Sequence, residues 1–323
     1  MKTTIKKKYL IFAAAALTLA ACSNDDENLN GGPVELRLSS GIEVQTRATH
    51  NLDTQLKDGE QVHVWVDDAT TGTALYNNNL LSKGNGGALS GGTPMYFPPS
   101  GSVDIYALHG NMTVDNAYPM SALTHTVAED QRSAIATAGE GYQGSDLVYA
   151  KLENVQRTPP TTTATLNFHQ LLSKVEVVLI QGAGDGSFLQ NITSLQVLNT
   201  QPTASFTLNK ATAADAITVT ASGTAFPISL DTDLSASSAE TNQVLNEAII
   251  VPQTINSGTE FIRVQTAEST FTYDLANTTA FESGKKYKYI ITVRETGLEV
   301  NSQISDWTDG VGDDNGYAQK EVN

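Results

Sequence analysis

Residues 34–45 read Val-Glu-Leu-Arg-Leu-Ser-Ser-Gly-Ile-Glu-Val-Gln. Side chains alternate between the two faces of a β-strand, so apolar residues at every second position predict a strand with one buried face. We expect this strand to run from Val34 to Thr46. A one-residue slip would move the whole apolar set to solvent, so the register should be well defined. The apolar set on the even-numbered face is Val34, Leu36, Leu38, Ile42 and Val44.

The same alternation recurs along the chain, and turn-forming stretches such as Gly84–Gly92 separate the runs. Charged residues make up only 17% of the chain, which favours strands and short turns over helices. Only Val127–Ala138 predicts a helix, and a short one. The sequence therefore predicts an all-β fold with two β-sandwich domains, 48–157 and 158–323, joined at Arg157–Thr163. The other alternating runs are Val62–Val66, Val103–Ala107, Val175–Leu179, Tyr287–Val293 and Leu298–Ile304.

The N-terminus has the form of an export signal. Lys2, Lys6, Lys7 and Lys8 precede an apolar run, Tyr9–Ala20, that is too short to span a bilayer. Leu19-Ala20-Ala21-Cys22 then resembles a lipobox, in which the cysteine becomes acylated. We predict a lipoprotein signal peptide over 1–21 and a lipidated propeptide carrying the first strand over 22–47. The alternative is an ordinary signal peptide with a chance cysteine.

The charge balance excludes some partners. The chain from Cys22 onward has a net charge of −20, because the signal peptide holds four of the 19 basic residues and none of the 35 acidic ones. Such a surface repels nucleic acid and anionic lipid headgroups. We therefore expect no nucleic acid partner, and attachment to the outer membrane only through the lipid.

No catalytic or cofactor motif emerges from the sequence. The five histidines lack metal-ligand spacing, and Cys22 is the only cysteine. The stretch Gly182–Ser187 lacks the third glycine of a dinucleotide loop, and Asp309–Gly316 lacks the oxygen spacing of a calcium loop. We predict no catalytic residue, no cofactor and no metal, and therefore not an enzyme.

Several blocks together resemble a known family, the fimbrillin lipoproteins of Bacteroidales. The resemblance covers nearly all of the chain after the signal peptide, and the order of the blocks behind a lipobox makes it specific. The blocks are Tyr96-Phe97-Pro98, Val103–Ala107, Ser145–Ala150, Leu166–Val175, Ile250–Thr254, Ser283–Tyr289 and Ile304–Asp309.

The resemblance implies two tandem transthyretin-like β-sandwich domains and assembly into a pilus by donor-strand exchange. In that family a lipidated precursor reaches the cell surface, and an arginine-specific surface protease cuts after an arginine that follows the first strand. Here that cleavage would fall between Arg47 and Ala48; the alternative is an ordinary exposed loop arginine. Losing the five apolar side chains of the first strand from the core would forfeit very roughly 8–15 kcal/mol. Another subunit's strand would be favoured in the vacated groove.

Other interpretations stay open. The tail after Trp307 alternates poorly, so the donor strand could instead include Leu298–Ile304, or the chain could be a pilus tip or anchor subunit. A second class of function is a non-polymerising surface lipoprotein that binds a glycan or another host ligand. For that function, aromatic residues such as Trp65, Tyr76 and Tyr118 should be exposed on one face. A hydrolase is the third class, and no motif supports it.

Overall fold

The structure is a computed structural model that describes residues 32–41, 56–118, 120–135, 140–181, 192–232, 234–235, 246–294, 297–307 and 320–321. Its regular elements are almost all strands. The first ten are β1 Glu35–Ser40, β2 Gln61–Asp68, β3 Ala74–Lys83, β4 Ala88–Ser90, β5 Met95–Tyr96, β6 Ser102–Gly110, β7 Met120–Thr126, β8 Leu147–Gln156, β9 Thr161–Leu166 and β10 His169–Gln170. The α-helix α1, Gly141–Gly144, precedes β8, and 3-10 turns occupy Asn85–Gly87 and Ala214–Ala216.

The remaining strands follow β10. They are β11 Ser173–Gln181, β12 Ile192–Thr200, β13 Thr203–Leu208, β14 Thr220–Ser222, β15 Phe226–Leu230, β16 Leu234–Ser235, β17 Asn246–Ile250, β18 Gln253–Ile255, β19 Glu260–Thr266, β20 Thr270–Asp274, β21 Thr279–Phe281, β22 Lys285–Arg294, β23 Gly297–Asp306 and β24 Lys320–Glu321.

These strands form several sheets. The first has nine strands in the order β10-β8-β6-β2-β3-β4-β1-β5, with β9 beside β1. A six-stranded sheet runs β16-β11-β22-β23-β24, with β17 beside β11. A four-stranded sheet has the order β15-β12-β19-β20, a three-stranded sheet the order β14-β13-β7, and β18 pairs with β21.

The centre of the first sheet is buried on both faces. On β6, Val103, Ile105 and Ala107 belong to one apolar cluster, which lies wholly within residues 34–166. Tyr106 and Leu108, on the opposite face, belong to a second cluster that continues into the C-terminal sheets. Because every second side chain points the same way, the period-2 pattern of β6 serves two cores at once.

The all-β prediction is confirmed, and all the alternating runs form strands. The first strand is found as β1, while its predicted continuation from Ile42 to Thr46 lies outside the described residues. The stretch Gly84–Gly92, predicted as a loop, contains β4, which pairs with β3 and β1. The residues from Pro33 onward form one compact unit. Two strands beyond the expected boundary, β9 and β10, pair within the first sheet. Domains at 48–157 and 158–323 stay a prediction, as does their transthyretin-like form.

The predicted helix over Val127–Ala138 is wrong for residues 127–135, which form a bend, an isolated bridge and a turn; residues 136–139 lie outside the described part. Asp130 forms a parallel bridge with Ser229 at β15. The Gln131 amide donates to the Ser229 carbonyl at 3.0 Å, and the Ser229 amide donates to the Glu129 carbonyl at 2.8 Å. The backbone groups that a helix would use locally are thus bonded to a strand about a hundred residues later in the chain.

The Gln131 side chain extends this tertiary link. Its amide nitrogen donates to the Ile249 carbonyl at 2.9 Å, and its amide oxygen accepts from the Ile249 N–H at 2.7 Å. Gln131 is only 1% exposed. The side chain therefore acts as one more strand residue beside β17 and joins residues 127–135 to the six-stranded sheet.

Candidate functional site: the first strand and its groove

Strand β1 lies inside the first sheet, between strands that are distant in sequence. On one edge it pairs in parallel with β9 over six residues, from Glu35 opposite Thr161 to Ser40 opposite Leu166. On the other edge it pairs antiparallel with β4 and β5. A strand bonded along both edges is an integral part of its sheet, so its removal would leave a groove.

Further hydrogen bonds hold both ends of β1. The Gly41 N–H donates to the Leu166 carbonyl at 2.9 Å, and the Phe97 N–H donates to the Val34 carbonyl at 2.9 Å. The Ser40 hydroxyl donates to the Gly87 carbonyl at 3.2 Å. The two backbone bonds extend the ladder by one residue beyond each end of the strand.

The side chains of β1 divide by face. Val34, Leu36 and Leu38 are each 2% exposed and pack in the apolar cluster of residues 34–166. On the opposite face Arg37 and Glu35 form a solvent-facing ion pair at 2.7 Å. That bond holds the pKa of Arg37 above its ordinary value. The strand is therefore amphipathic, as its sequence predicts, and its apolar face completes a core.

Several neighbours depend on β1 for their pairing. Within the described residues, β9 and β5 each pair with β1 alone, and β4 pairs with β1 and β3. We name the space that β1 fills the first-strand groove: its edges are β9 on one side and β4 and β5 on the other, and its floor is the apolar cluster under Leu36. Without β1, the backbone groups of both edges would lose their partners.

This architecture matches a known family. A family model described as fimbrillin-like matches residues 46–307. The chain belongs to the fimbrillin-like family. Fimbrillins are subunits of fimbriae, so this fimbrillin-like chain belongs to a family of fimbrial proteins.

Individual relatives agree with that assignment. Fimbrium subunit Fim1C of Bacteroides uniformis is 28% identical over 329 residues, covering 95% of this chain and 97% of that protein. A solved structure of a cell adhesion protein from Bacteroides uniformis superposes with a TM-score of 0.58 at 22% identity, over 85% of this chain and 99% of the other. One from Bacteroides ovatus gives 0.59 at 18% identity, over 88% and 99%. The structural likeness extends the shared fold across most of the chain.

The described residues place only part of the predicted site. Val34, Leu36 and Leu38 lie in the first-strand groove, whereas Cys22, Ile42, Val44, Arg47 and Ala48 fall outside the described residues. The aromatic residues considered as a binding face are not gathered on the surface of this fimbrillin-like chain. Trp65 is fully buried, Tyr118 is 8% exposed and stacks on Tyr106 at 4.1 Å, and Tyr76 is half-buried.

At the C-terminal end, β22 and β23 form a ten-residue hairpin, from Lys285 opposite Asp306 to Arg294 opposite Gly297. Strand β24 then pairs with β23 at Asn301 and Ser302. Residues 308–319, which include most of the tail considered as a donor strand, lie outside the described residues. The alternative donor segment, Leu298–Ile304, is already bonded within the six-stranded sheet, although the Ile304 side chain is 49% exposed.

A charged cluster lies buried on β11 and β17. The Lys174 ammonium is 2.8 Å from Glu247 and 3.2 Å from Glu176, and Lys286 is 3.5 Å from Glu176. Burial raises the pKa of Glu247 to about 7, against the opposing effect of Lys174. Lys288 also acts electrostatically on Glu176, so lysines from β11 and β22 face the two buried carboxylates.

Two searches of the described residues are negative. No group of three or more His, Cys, Asp or Glu side chains in the described ranges could hold a metal ion. In the same ranges, no helix has the length and apolar character needed to cross a membrane.

Proposed function

We propose that this chain is a pilus subunit that is exported as a lipoprotein and polymerises by donor-strand exchange. Cys22 carries the lipid and holds the precursor at the outer membrane. An arginine-specific surface protease then cuts between Arg47 and Ala48. The first strand leaves, and a strand from another subunit enters the first-strand groove.

The observation that carries the proposal is the position of β1 between β9 and the β4–β5 edge. If an N-terminal strand lay at the edge of a sheet, its removal would not leave a groove between two other strands. One that is bonded on both edges and buries Val34, Leu36 and Leu38 leaves a slot with two unpaired edges and an apolar floor. An incoming strand could restore both ladders and the core by β-augmentation.

The position of Arg47 supports processing at this site. The last described residue after β1 is Gly41, and Arg47 follows six positions later in the polar stretch Thr46-Arg47-Ala48-Thr49-His50. The family match begins at residue 46 and so leaves β1 outside the matched region. A cut after Arg47 separates both the lipid at Cys22 and the first strand from the rest of the subunit, so one event would release the subunit and open its groove.

The energetics favour capture of a second strand. The side chains of Val34, Leu36 and Leu38 alone contribute roughly 5–9 kcal/mol of apolar burial at about 1.5–3 kcal/mol each. That is comparable to the net stability of a whole domain, which is about 5–15 kcal/mol. An open first-strand groove would therefore be unstable as a monomer and would favour a partner strand with alternating apolar residues.

The experiment compares Arg47→Lys and Arg47→Ala with the wild-type chain in the producing cells. Both variants should accumulate as membrane-held monomers, since an arginine-specific protease accepts neither. Trypsin, which cuts after lysine as well as arginine, should then yield polymers from purified wild-type and Arg47→Lys chains, with subunits that begin at Ala48. The Arg47→Ala chain should stay monomeric.

Fibres are counted by electron microscopy, and subunits are identified by N-terminal sequencing. Abundant fibres from Arg47→Ala with the first strand intact would rule out donor-strand activation. A lipidated monomer as the sole surface form of the wild-type chain would instead support an anchor subunit or a non-polymerising lipoprotein.

A further inference from the structure

An open cleft of about 180 Å³ lies at the side of the C-terminal sheets, remote in sequence from the first-strand groove. Its walls come from the segment after β20, from β22 and from the end of β23. Its volume falls below the roughly 300–1,000 Å³ that is usual for drug-sized ligands. The cleft is thus of a size for one small ring or the end of an oligomer.

The lining combines aromatic rings with neutral polar groups. Tyr273 and Tyr289 have ring centroids 6.0 Å apart with 56° between the ring planes. The polar side chains of Asn277 and Ser302 also line the cleft, and Ser302 lies directly opposite Tyr289 in the strand register. Among the described residues that line the cleft, no side chain carries a charge. The site therefore offers apolar ring faces together with neutral hydrogen-bond donors and acceptors.

Tyr289 offers an additional hydrogen-bonding group to the cleft. The residue is only 3% exposed, and within the described part of the chain its hydroxyl forms no hydrogen bond. The neighbouring Tyr287 differs, because its hydroxyl donates to the Ala280 carbonyl at 2.6 Å and accepts from the Glu282 N–H at 2.9 Å. The Tyr289 hydroxyl is therefore open to the cleft, where a ligand hydroxyl could bond to it.

The loop that forms one wall is held by its own hydrogen bonds. The Leu275 N–H donates to the Thr259 carbonyl at 2.9 Å, and the Leu275 carbonyl accepts from the Gly258 N–H at 2.7 Å. The Thr278 hydroxyl accepts from the Ser257 N–H at 3.2 Å. A wall fixed before binding lowers the ordering cost of taking up a small ligand.

We propose that this cleft binds a neutral saccharide. A sugar ring has an apolar C–H face that can lie against a tyrosine ring, and its hydroxyl edges can pair with Asn277, Ser302 and the Tyr289 hydroxyl. The net charge of the chain, −16, disfavours acidic sugars. The inference goes beyond the proposed assembly by donor-strand exchange, and either could fail without the other.

The test measures saccharide binding to the purified full chain by saturation-transfer NMR and by titration. The probes are methyl glycosides of neutral hexoses and N-acetylhexosamines, with N-acetylneuraminic acid as the acidic comparison. At least one neutral glycoside should bind. Tyr289→Phe and Asn277→Ala should each weaken it by roughly 2- to 12-fold, the loss of one hydrogen bond.

Asn301→Ala is the matched control, because Asn301 is an exposed amide on β23 that does not line the cleft. It should leave binding unchanged. Tyr289→Phe should also keep the melting temperature close to that of the wild type, since the buried ring remains in place. Absence of binding by every neutral glycoside, equal binding of the acidic sugar, or binding that survives the Tyr289→Phe/Asn277→Ala double substitution would each overturn the proposal.

Discussion

Truncating one side chain of β1 should loosen the first-strand groove without unfolding the rest of the chain. Leu36 is 2% exposed within the apolar cluster of residues 34–166. Leu36→Ala should cost about 2–5 kcal/mol, from lost apolar burial and the cavity left behind. Since β9 pairs with β1 alone among the described strands, the loss should appear first as detachment of β1 from Thr161–Leu166. If that detachment controls exchange, amide protection there should fall by roughly 30-fold to a few thousand-fold.

The assay is hydrogen-exchange mass spectrometry on the unprocessed chain at fixed pH. Arg37→Ala is the matched control: it lies next to Leu36 in the same strand but is solvent-facing, so it should change protection little. Peptides from β11 should exchange alike in all three proteins, because β11 lies in a different sheet. Equal protection of Thr161–Leu166 in Leu36→Ala and Arg37→Ala would refute the argument that burial of Leu36 holds β1 in place.

Three further predictions follow from particular side chains. Gln131→Ala should destabilise the chain by about 2–4 kcal/mol in urea denaturation, because it leaves both buried backbone groups of Ile249 unpaired; an unchanged midpoint would contradict this. The folded-state pKa of Glu247, about 7, lies above its ordinary value of 4.5. The stabilisation contributed by protonated Glu247 is therefore complete below about pH 4.5 and is lost as the pH rises through about 7. Glu247→Gln should consequently flatten the decline in melting temperature between about pH 5 and pH 8. Cys22→Ala should abolish labelling by a palmitate analogue, and label retained in that variant would exclude Cys22 as the acylated residue.

The strands could be predicted from sequence because their signal is local. In β1, apolar residues at positions 34, 36 and 38 predict which face packs against the core, and this prediction does not require knowing the neighbouring strands. The partners themselves could not be predicted. Ser39 hydrogen-bonds to Thr165 across 126 residues of chain, and nothing in either segment specifies a parallel pairing with the other.

The burial of the second face of a strand also could not be predicted from the sequence. On β11, Val175 and Val177 read as the inner face, yet Lys174 and Glu176 between them are buried as well. Their burial depends on charge pairing with Glu247, which lies on β17. The failed helix over Val127–Ala138 has a similar cause, since its backbone bonds to β15 and its side chain at Gln131 to β17. In each case a tertiary partner overrides the local pattern.

The candidate site was predicted in part for the same reason. The apolar face of β1 follows from alternation, but the closure of the groove by β9, β4 and β5 follows from topology. The cleft beside β22 was missed altogether. Tyr287 and Tyr289 alternate like any strand residues, and only the described geometry distinguishes the bonded hydroxyl of the first from the unpaired hydroxyl of the second.

The most direct test of the central claim is a cryo-electron microscopy structure of assembled fibres, at a resolution that identifies side chains. The account predicts that the density between Thr161–Leu166 and Ala88–Ser90 belongs to a neighbouring subunit, and that the occupied subunit begins at Ala48. Density for the chain's own Val34–Ser40 in that groove, continuous through Arg47 into the same subunit, would contradict it.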